Sequence, residues 1–306
     1  MFHDFERLFM KLVERENIDE SKWRLWFEKS RQSKPFLSLD YLDAVSKNLV
    51  FLLNDDESGG MPLPYFEKFG VQALYTPVFC RWIDWIGENP IKKEVLTEFL
   101  ATQFKVVDIY FRQELLSGDS TDLIYQKVTP ESFKLNQQAK RKIKSFEKTR
   151  LNITSEINIE AGVEFLRKEL ANRIETLQDA DFDLLGQVIS KSHKNNLLHQ
   201  FSFFDEDELA GTIFLIETEQ SMLYLKGTCT AKWKNTGGMY ALIHQGIQLA
   251  FESNRTFDFG GSRVDGVRKF NRCFGGEDQH YYGYSWNDGP IWYKALKELK
   301  NKWKKK

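Results

Sequence analysis

The sequence is poor in cysteine, and its cysteines lie far apart. Three occur in 306 residues, at Cys80, Cys229 and Cys273, and none belongs to a Cys-x-x-Cys pair. Because isolated cysteines in odd number suit neither a disulfide framework nor a structural zinc site, we expect a protein of the reducing cytoplasm.

Metal-ligand and nucleophile motifs are also missing. The histidines His193, His199 and His244 fall on different predicted elements, and no His-x-x-x-His spacing joins them. No serine or cysteine stands in the sharp glycine-flanked turn that exposes a catalytic nucleophile. We therefore expect neither a metal nor a covalent enzyme intermediate.

Long apolar runs are absent as well. The first residues, MFHDFERLFMKLVEREN, carry charges throughout, so they predict an amphipathic helix and not a signal peptide. No window approaches the ~18 uncharged apolar residues of a membrane-spanning helix. We expect no membrane span.

No charge sign is in excess. Lysine and arginine number 43 against 44 aspartates and glutamates, for a net charge of -1, which excludes a globally basic DNA-binding protein. The balanced net charge does not exclude a local basic patch. The predicted helix over 136–150 either is a solvated linking helix or contacts tRNA, and its basic cluster consists of Lys134, Lys140, Arg141, Lys142, Lys144, Lys148 and Arg150. The lysine-rich segment KELKNKWKKK likewise is either a solvated tail or a segment that contacts phosphate or RNA.

What the sequence does contain is a similar order of elements in each half. Apolar periodicity in the first half predicts helices, a β-meander, a further helix and more strands. The second half predicts two helices, three consecutive strands, a helix that opens at the Gly237–Gly238 pair, a strand, a short helix, a strand and a closing helix. This order predicts an α+β fold with domains over 1–135 and 136–306.

The most distinctive segment is FDFGGSRVDGVRKFNRCFGG, residues 257–276. Strand alternation places Asp258 on the face opposite Phe257 and Phe259. Asp258 either orients or deprotonates an amine, or it is structural and bonds to an arginine or to the amides of the glycine turn. Arg268 and Lys269 either bind an anion and a developing oxyanion or lie on a solvated helix face.

Two further features complete the candidate site. Gly237 and Gly238 head a predicted helix, where free amides favour an anion, although an ordinary strand-to-helix turn also needs glycine. Tyr224 and Lys226 alternate onto one face of the strand SMLYLKG, beside that helix start.

These elements resemble one family. The strand-to-helix order at GGM, the FDFGGS strand and GVRKFNRCFGG resemble the C-terminal half of FemAB-like proteins, which are tandem-GNAT acyltransferases. PFLSLDYLDAV (35–45), the meander containing MPLP and RKIKSFEKTRLNIT (141–154) resemble that family's N-terminal half and connecting helix. The resemblance covers most of residues 35–285. It implies two tandem GNAT-like domains, each a mixed, mostly antiparallel sheet flanked by helices.

The resemblance also implies a function. Such proteins transfer an acyl or aminoacyl group from acyl-CoA (acetyl-CoA among them) or aminoacyl-tRNA to the amine of a small molecule, peptide or cell-wall precursor. Asp258, Arg268 and Lys269 would then be catalytic. The donor would bind at Lys234, Gly237, Gly238 and Met239, and the substrate at Tyr224, Lys226, Gly260, Gly261, Ser262 and Arg263.

The sequence departs from the family pattern at two positions. Asn271 follows Phe270 where the family commonly has lysine, and Met239 stands where its phosphate loop has a small residue. These departures support an alternative, in which the chain is a degenerate tandem-GNAT protein that binds a ligand or partner without catalysis.

Overall fold

The structure is a computed structural model that describes residues 10–30, 35–171, 177–261 and 264–294. Its chain forms two compact units. The first unit holds the described residues of Met1–Leu39, Ser46–Leu123 and Tyr281–Lys306, and the second holds Asp40–Val45 and Ile124–His280. The predicted domains 1–135 and 136–306 follow a different criterion, the repeated order of elements, and stay a prediction.

Strands and helices alternate along the described chain. In chain order they are β1 (Met10–Glu14), a 3-10 turn (Arg15–Asn17), α1 (Glu20–Lys29), α2 (Leu39–Val45), β2 (Asn48–Asn54), β3 (Gly59–Lys68), β4 (Val71–Tyr75), β5 (Ile86–Gly87), α3 (Lys93–Gln103), β6 (Val106–Phe111), β7 (Thr121–Val128), α4 (Gln137–Glu147), β8 (Ile153–Thr154), α5 (Ile159–Leu170), α6 (Asp179–Lys194), β9 (Leu198–Asp205), β10 (Glu208–Glu217), β11 (Ser221–Cys229), α7 (Ala231–Thr236), α8 (Gly238–Glu252), β12 (Thr256–Gly261), α9 (Asp265–Arg272) and β13 (Glu277–Asn287). None of the described helices is both long and apolar enough to cross a bilayer.

The first unit is built on a mainly antiparallel sheet. Its strand order is β1-β2-β3-β4-β6-β13, with the short β5 beside β3, and only β4 and β6 run parallel. β2 buries six successive residues, which is why its sequence reads as a continuous apolar run. α1 turns Trp23 and Trp26 inward, and the Trp23 ring packs edge-on against Phe51 at 4.5 Å.

The predicted N-terminal helix is wrong where the structure describes it. Met10–Glu14 is a strand, and all five of its residues pair antiparallel with β2. Its charged residues are compatible with an edge strand, because an edge strand keeps one side in solvent. Pairing with a buried neighbour has overridden the helical pattern, and residues 1–9 of that prediction lie outside the described chain.

The second unit has the strand order β7-β12-β11-β10-β9-β8. The pair β11–β12 is parallel, whereas β9, β10, β7 and β8 join their neighbours in antiparallel ladders. One face of this sheet carries an aromatic core that α4, α7 and α8 cover.

α4 shows why that core forms. It buries Ala139, Ile143 and Phe146, spaced by four and three residues, and the Phe146 ring lies 4.9 Å from that of Phe203. Its other positions are polar or charged, and the cations Lys140, Arg141 and Lys144 among them face solvent. A helix with this division of apolar and charged faces is stable only against a sheet or another helix.

The opposite face of the sheet is covered by α5 and α6. α5 packs against β10 and β11, and Gly162 on α5 approaches the Phe214 ring so closely that a Cβ there would lie 2.4 Å from it. Beneath α5 the hydroxyls of Ser202 and Thr212 lie 2.8 Å apart, and the Gln200 amide donates to both. The two faces of the second unit therefore differ, one aromatic and one partly polar.

Candidate active site

β11 and β12 separate inside the second unit. They pair in parallel over only three residue pairs, Ser221–Thr256, Met222–Phe257 and Leu223–Asp258. β11 then continues to Cys229 in contact with β10 on its other side. Adjacent parallel strands that stop pairing leave backbone N–H and C=O groups available along both edges.

A β-bulge lies at the point of separation. The β10 residues Phe214 and Leu215 face Lys226 and Tyr224, so Leu225 is the extra residue on β11. A bulge bends its strand and changes the direction of the neighbouring side chains. The bulge therefore explains both why β11 leaves β12 here and why the side chains beyond it are redirected.

The bulge corrects the prediction that Tyr224 and Lys226 share a face. Tyr224 lies opposite Leu215 and packs against the aromatic core, whereas Lys226 lies opposite Phe214 on the face that α5 covers. The Tyr224 hydroxyl donates a hydrogen bond of 3.0 Å to the Gly227 carbonyl, and burial raises its pKa. Burial lowers the pKa of the Lys226 ammonium, because the charged form loses hydration.

Asp258 lies at the last residue pair before the separation. It is 5% exposed, and its Oδ1 accepts a hydrogen bond of 2.9 Å from the Gly260 amide. Phe257 and Phe259 lie in the aromatic core, so the predicted alternation is confirmed and Asp258 shares the α5-covered face with Lys226. The hydrogen bond to Gly260 is the structural role that the sequence left open.

Gly260 itself requires glycine. Its φ is +73°, and a Cβ would lie 3.0 Å from the Tyr224 carbonyl oxygen on β11. Asp258 thus holds the turn at Gly260, where β12 still lies close to the Tyr224 carbonyl of β11 just beyond the last regular pair. Gly261 pairs with Tyr125 on β7, after a register shift that starts at Asp258. Ser262 and Arg263, which the resemblance assigns to the substrate, lie outside the described residues.

The predicted cations of α9 have separate environments. Arg268 forms an ion pair with Asp265 one turn earlier on the same helix, and Lys269 is exposed. Arg272 lies 2.6 Å from Asp278 on β13. Burial by itself would raise the pKa of Asp278, but hydrogen bonds from Arg272 and Gln126 hold it below its usual value.

Asn271 belongs to a buried polar network. It is 4% exposed, and its side-chain amide donates a hydrogen bond of 2.9 Å to the side-chain oxygen Oε1 of Gln126. Gln126 in turn donates to Asp278 at 2.8 Å. The residue that stands where the family commonly has lysine therefore links α9 to β7 and, through Gln126, to β13. Sequence reasoning missed Gln126 and Asp278, since nothing local in the sequence relates them to Asn271.

The Gly237–Gly238 pair connects two helices. Gly237 ends α7 with φ +105°, and α8 begins at Gly238, as predicted. The expected strand-to-helix turn is wrong, because α7 intervenes. A Cβ on Gly237 would lie 2.2 Å from the Lys142 carbonyl of α4, and one on Gly238 would lie 2.8 Å from the Phe203 ring. Close packing therefore accounts for both glycines.

The neighbouring donor-site candidates Met239 and Lys234 have different environments. Met239 packs against the aromatic core, and Lys234 lies in the last turn of α7. The Lys142 ammonium donates to the Asn235 carbonyl at 2.5 Å, which ties α4 to the end of α7. The first amides of α8 are the part of this turn that suits a phosphate.

A groove that the sequence did not indicate opens between α5 and α6. It has a volume of about 980 Å³ and extends to Asp43 and Ala44 on α2. Arg167 lies in its wall and donates to Asp183 at 2.8 Å, a contact that raises the arginine pKa. The absence of a side chain at Gly186 keeps the groove wide, since its nearest neighbour is Val163 at 4.0 Å from an added Cβ.

Comparison with known proteins finds similar structures but no similar sequences among families or curated proteins. No protein-family profile matches the sequence, and no curated protein matches it. Among solved structures it is similar to FemX, with a TM-score of 0.60 and 14% identity over 94% of this chain and 99% of that one. It is also similar to L-PGS from Bacillus licheniformis, with a TM-score of 0.57 and 13% identity over 91% of this chain and 94% of that one.

A third similar structure is described as a tandem GNAT protein from the clavulanic acid biosynthesis pathway. Its TM-score is 0.55 and its identity 10%, over 92% of this chain and 99% of that one. Identities this low establish the fold and leave substrates open. The predicted fold class and the stated resemblance are confirmed at that level. This chain has the α+β fold of FemX and the tandem GNAT proteins.

Proposed function

We propose that this chain transfers an acyl or aminoacyl group to the amine of an acceptor, at the opening between β11 and β12. The observation that carries the proposal is the end of pairing at Leu223–Asp258, together with the bulge at Leu225. A strand edge with available N–H and C=O groups can bind a donor that itself contains amides, such as acyl-CoA.

The chemistry needs few protein groups. The amine nitrogen forms a bond to the donor carbonyl carbon, and the carbon–sulfur bond of a thioester, or the carbon–oxygen bond of an ester, breaks. The leaving atom keeps the electron pair and gains a proton, while the amine loses one. Backbone N–H groups at the strand edge can stabilise the oxyanion that develops meanwhile, and positioning supplies much of the acceleration.

Asp258 and Lys226 are the side chains best placed for this reaction. They share the α5-covered face beside the opening. In the proposal Asp258 orients or deprotonates the amine, and the Lys226 ammonium attracts an anionic group of the substrate. Arg268 and Lys269 on α9 would bind an anionic acceptor, with Gly260 and Gly261 forming the wall, and the α8 start with Lys234 would hold the donor phosphate.

Thermal shift and transfer assays test this proposal. We expect acetyl-CoA, a longer acyl-CoA or CoA to raise the melting temperature, and Asp258→Asn to lower kcat/KM by at least about a hundredfold. Lys226→Met is expected to weaken transfer as well. The control is Lys168→Met, which removes an exposed cation of α5 and should change neither. No stabilisation by any of the three compounds would contradict the CoA-dependent form.

A second candidate function is binding without catalysis. It is favoured by the packing of Gly237 and Gly238 against Lys142 and Phe203, since packing explains both glycines without a phosphate. In that case the CoA compounds leave the melting temperature unchanged, and Asp258→Asn does not change the background rate of transfer.

The donor could also be aminoacyl-tRNA. This alternative is favoured by the cationic surface of α4 and its C-cap, where Lys140, Arg141, Lys144 and Lys148 are all exposed. It predicts tRNA binding that depends on salt, and the experiment is given below with the role of α4.

A further inference from the structure

An exposed aromatic patch lies on the first unit. Four large apolar side chains form it: Phe66 is 39% exposed, Phe69 68%, Ile291 87% and Trp292 45%. The rings of Phe69 and Trp292 are in edge-to-face contact with their centroids 6.4 Å apart. A soluble surface does not need such a cluster, and contiguous apolar patches commonly mark interaction sites.

Phe69 occupies a backbone position that does not suit it. It stands with Gly70 in the two-residue turn between β3 and β4, where φ is +54° at Phe69 and +71° at Gly70. Turns with positive φ at both residues favour Asn-Gly or Gly-Gly, and a bulky side chain there is disfavoured. The local conformation therefore gives no reason for an aromatic residue, which points to a use for the side chain in solvent.

The other side of the patch is fixed by packing. Backbone amides of Tyr293 and Lys294 bond to the Pro290 carbonyl and begin a helical turn. Tyr293 is buried in a cluster with Val71, Ala73 and Val106. This anchor leaves Ile291 and Trp292 projecting beside the hairpin tip.

Cations border the patch. Lys68 is exposed, with its ammonium 5.4 Å from the centre of the Phe69 ring, and Lys294 is exposed as well. In the sequence, residues 295–306 add six lysines against one glutamate, together with Trp303. Tryptophan and phenylalanine beside lysine is the composition that favours the headgroup region of an anionic bilayer.

We propose that the aromatic patch binds the surface of a membrane that contains anionic phospholipids. Phe66, Phe69, Ile291 and Trp292 would enter the headgroup region, and Lys68 and Lys294 would pair with lipid phosphates. The occupant is inferred from charge and from projecting apolar side chains, and it does not depend on the proposed acyl transfer.

Co-sedimentation of the full chain with vesicles tests the proposal. We expect binding to phosphatidylcholine vesicles that contain phosphatidylglycerol, little binding to phosphatidylcholine alone, and weaker binding at high salt. Phe69→Asn should reduce the vesicle affinity about tenfold. Asparagine suits the positive φ of this turn, so we expect the melting temperature of the variant to be unchanged or higher. A loss of vesicle binding would then not be due to unfolding.

Two further variants complete the test. Trp292→Ser should weaken binding similarly, whereas Leu25→Asn, which removes another half-exposed apolar side chain of the same unit, should not. Failure to bind anionic vesicles, or equal affinity of Phe69→Asn and the unchanged chain, would overturn the proposal. Self-association in solution that Phe69→Asn abolishes, without vesicle binding, would instead assign the patch to a second copy of the chain.

Discussion

Gly237 is a residue whose identity is set by its surroundings. Its φ of +105° disfavours any other residue, and the Lys142 carbonyl fills the space where a Cβ would lie. We expect Gly237→Ala to lower the free energy of unfolding by about 2–3 kcal/mol, as followed by urea denaturation. Gly118→Ala is the matched control, since Gly118 has φ +95° with open space around it and should lose only about 1 kcal/mol. Equal losses would mean that packing against α4 contributes nothing.

His244 on α8 should make stability depend on pH. Its ring stacks on Phe133 with a centroid separation of 6.1 Å, and burial lowers its pKa despite the nearby carboxylate of Glu147. The unfolded histidine titrates near ~6.5, so below that pH the unfolded state binds more protons than the folded state. The contribution of neutral His244 is complete above about pH 6.5 and is lost as the pH falls towards the folded pKa.

The measurement is the difference in unfolding midpoint between the unchanged chain and His244→Phe. Phenylalanine keeps the ring against Phe133 but cannot take up a proton. We expect the unchanged chain to lose more stability than the variant between neutral and mildly acidic pH. If the unfolding midpoints of the two proteins changed equally with pH, His244 would not contribute to the pH dependence of stability.

Asn271 marks the limit of reasoning from residues one at a time. The sequence suggested a missing cation at this position, but the side chain is hydrogen-bonded to Gln126, which lies 145 positions away. The face on which Asp258 lies was easier to predict, because it follows from the local alternation with Phe257 and Phe259. Residue roles set by neighbours in the sequence were predictable here, and roles set by distant partners were not.

At the scale of elements the same distinction holds. The sequence predicted a cationic helix over 136–150, where α4 lies, and the apolar run of β2 predicted a strand. α7 was missed because its six residues bury only Trp233 and so show no periodicity. The bulge at Leu225 and the end of pairing at Leu223 could not be predicted, since both depend on register with strands elsewhere in the chain.

α4 is the element on which tRNA binding can be tested. Charge reversal of Lys140, Lys144 and Lys148 to glutamate should leave its buried face unchanged and weaken tRNA binding. If each lysine contacts one phosphate, the slope of log affinity against log salt falls by about 2–3. Reversal of Lys47, Lys92 and Lys105, which are exposed in connections between elements of the first unit, makes the same change in net charge and is the control. Equal effects of both triple variants, or binding that ignores salt, would remove the tRNA-dependent alternative.

At the scale of the whole molecule, the order of the chain differs from the order in which it packs. The first unit takes residues from both ends of the sequence, since β13 pairs with β6 from Val106–Asn287 to Phe111–Tyr282. Tyr284 on β13 is 4% exposed and donates to the Leu116 carbonyl at 3.1 Å. The sequence suggests two halves with similar element orders. This is compatible with compact units in which Tyr281–Asn287 of β13, from the C-terminal half, belongs to the first unit.

The pairing of β13 with β6 predicts how fragments of the chain behave. A fragment of residues 1–135 lacks β13, so β6 would have an unpaired edge and Ile109 and Phe111, now fully buried, would lose part of their cover. We expect this fragment to show no cooperative thermal unfolding and to aggregate, because an open apolar strand edge pairs with other chains. Joining residues 277–294 to it through a flexible linker should restore a cooperative transition in calorimetry. A cooperative transition in the fragment alone would support 1–135 as an independent domain and show that β13 is dispensable for it.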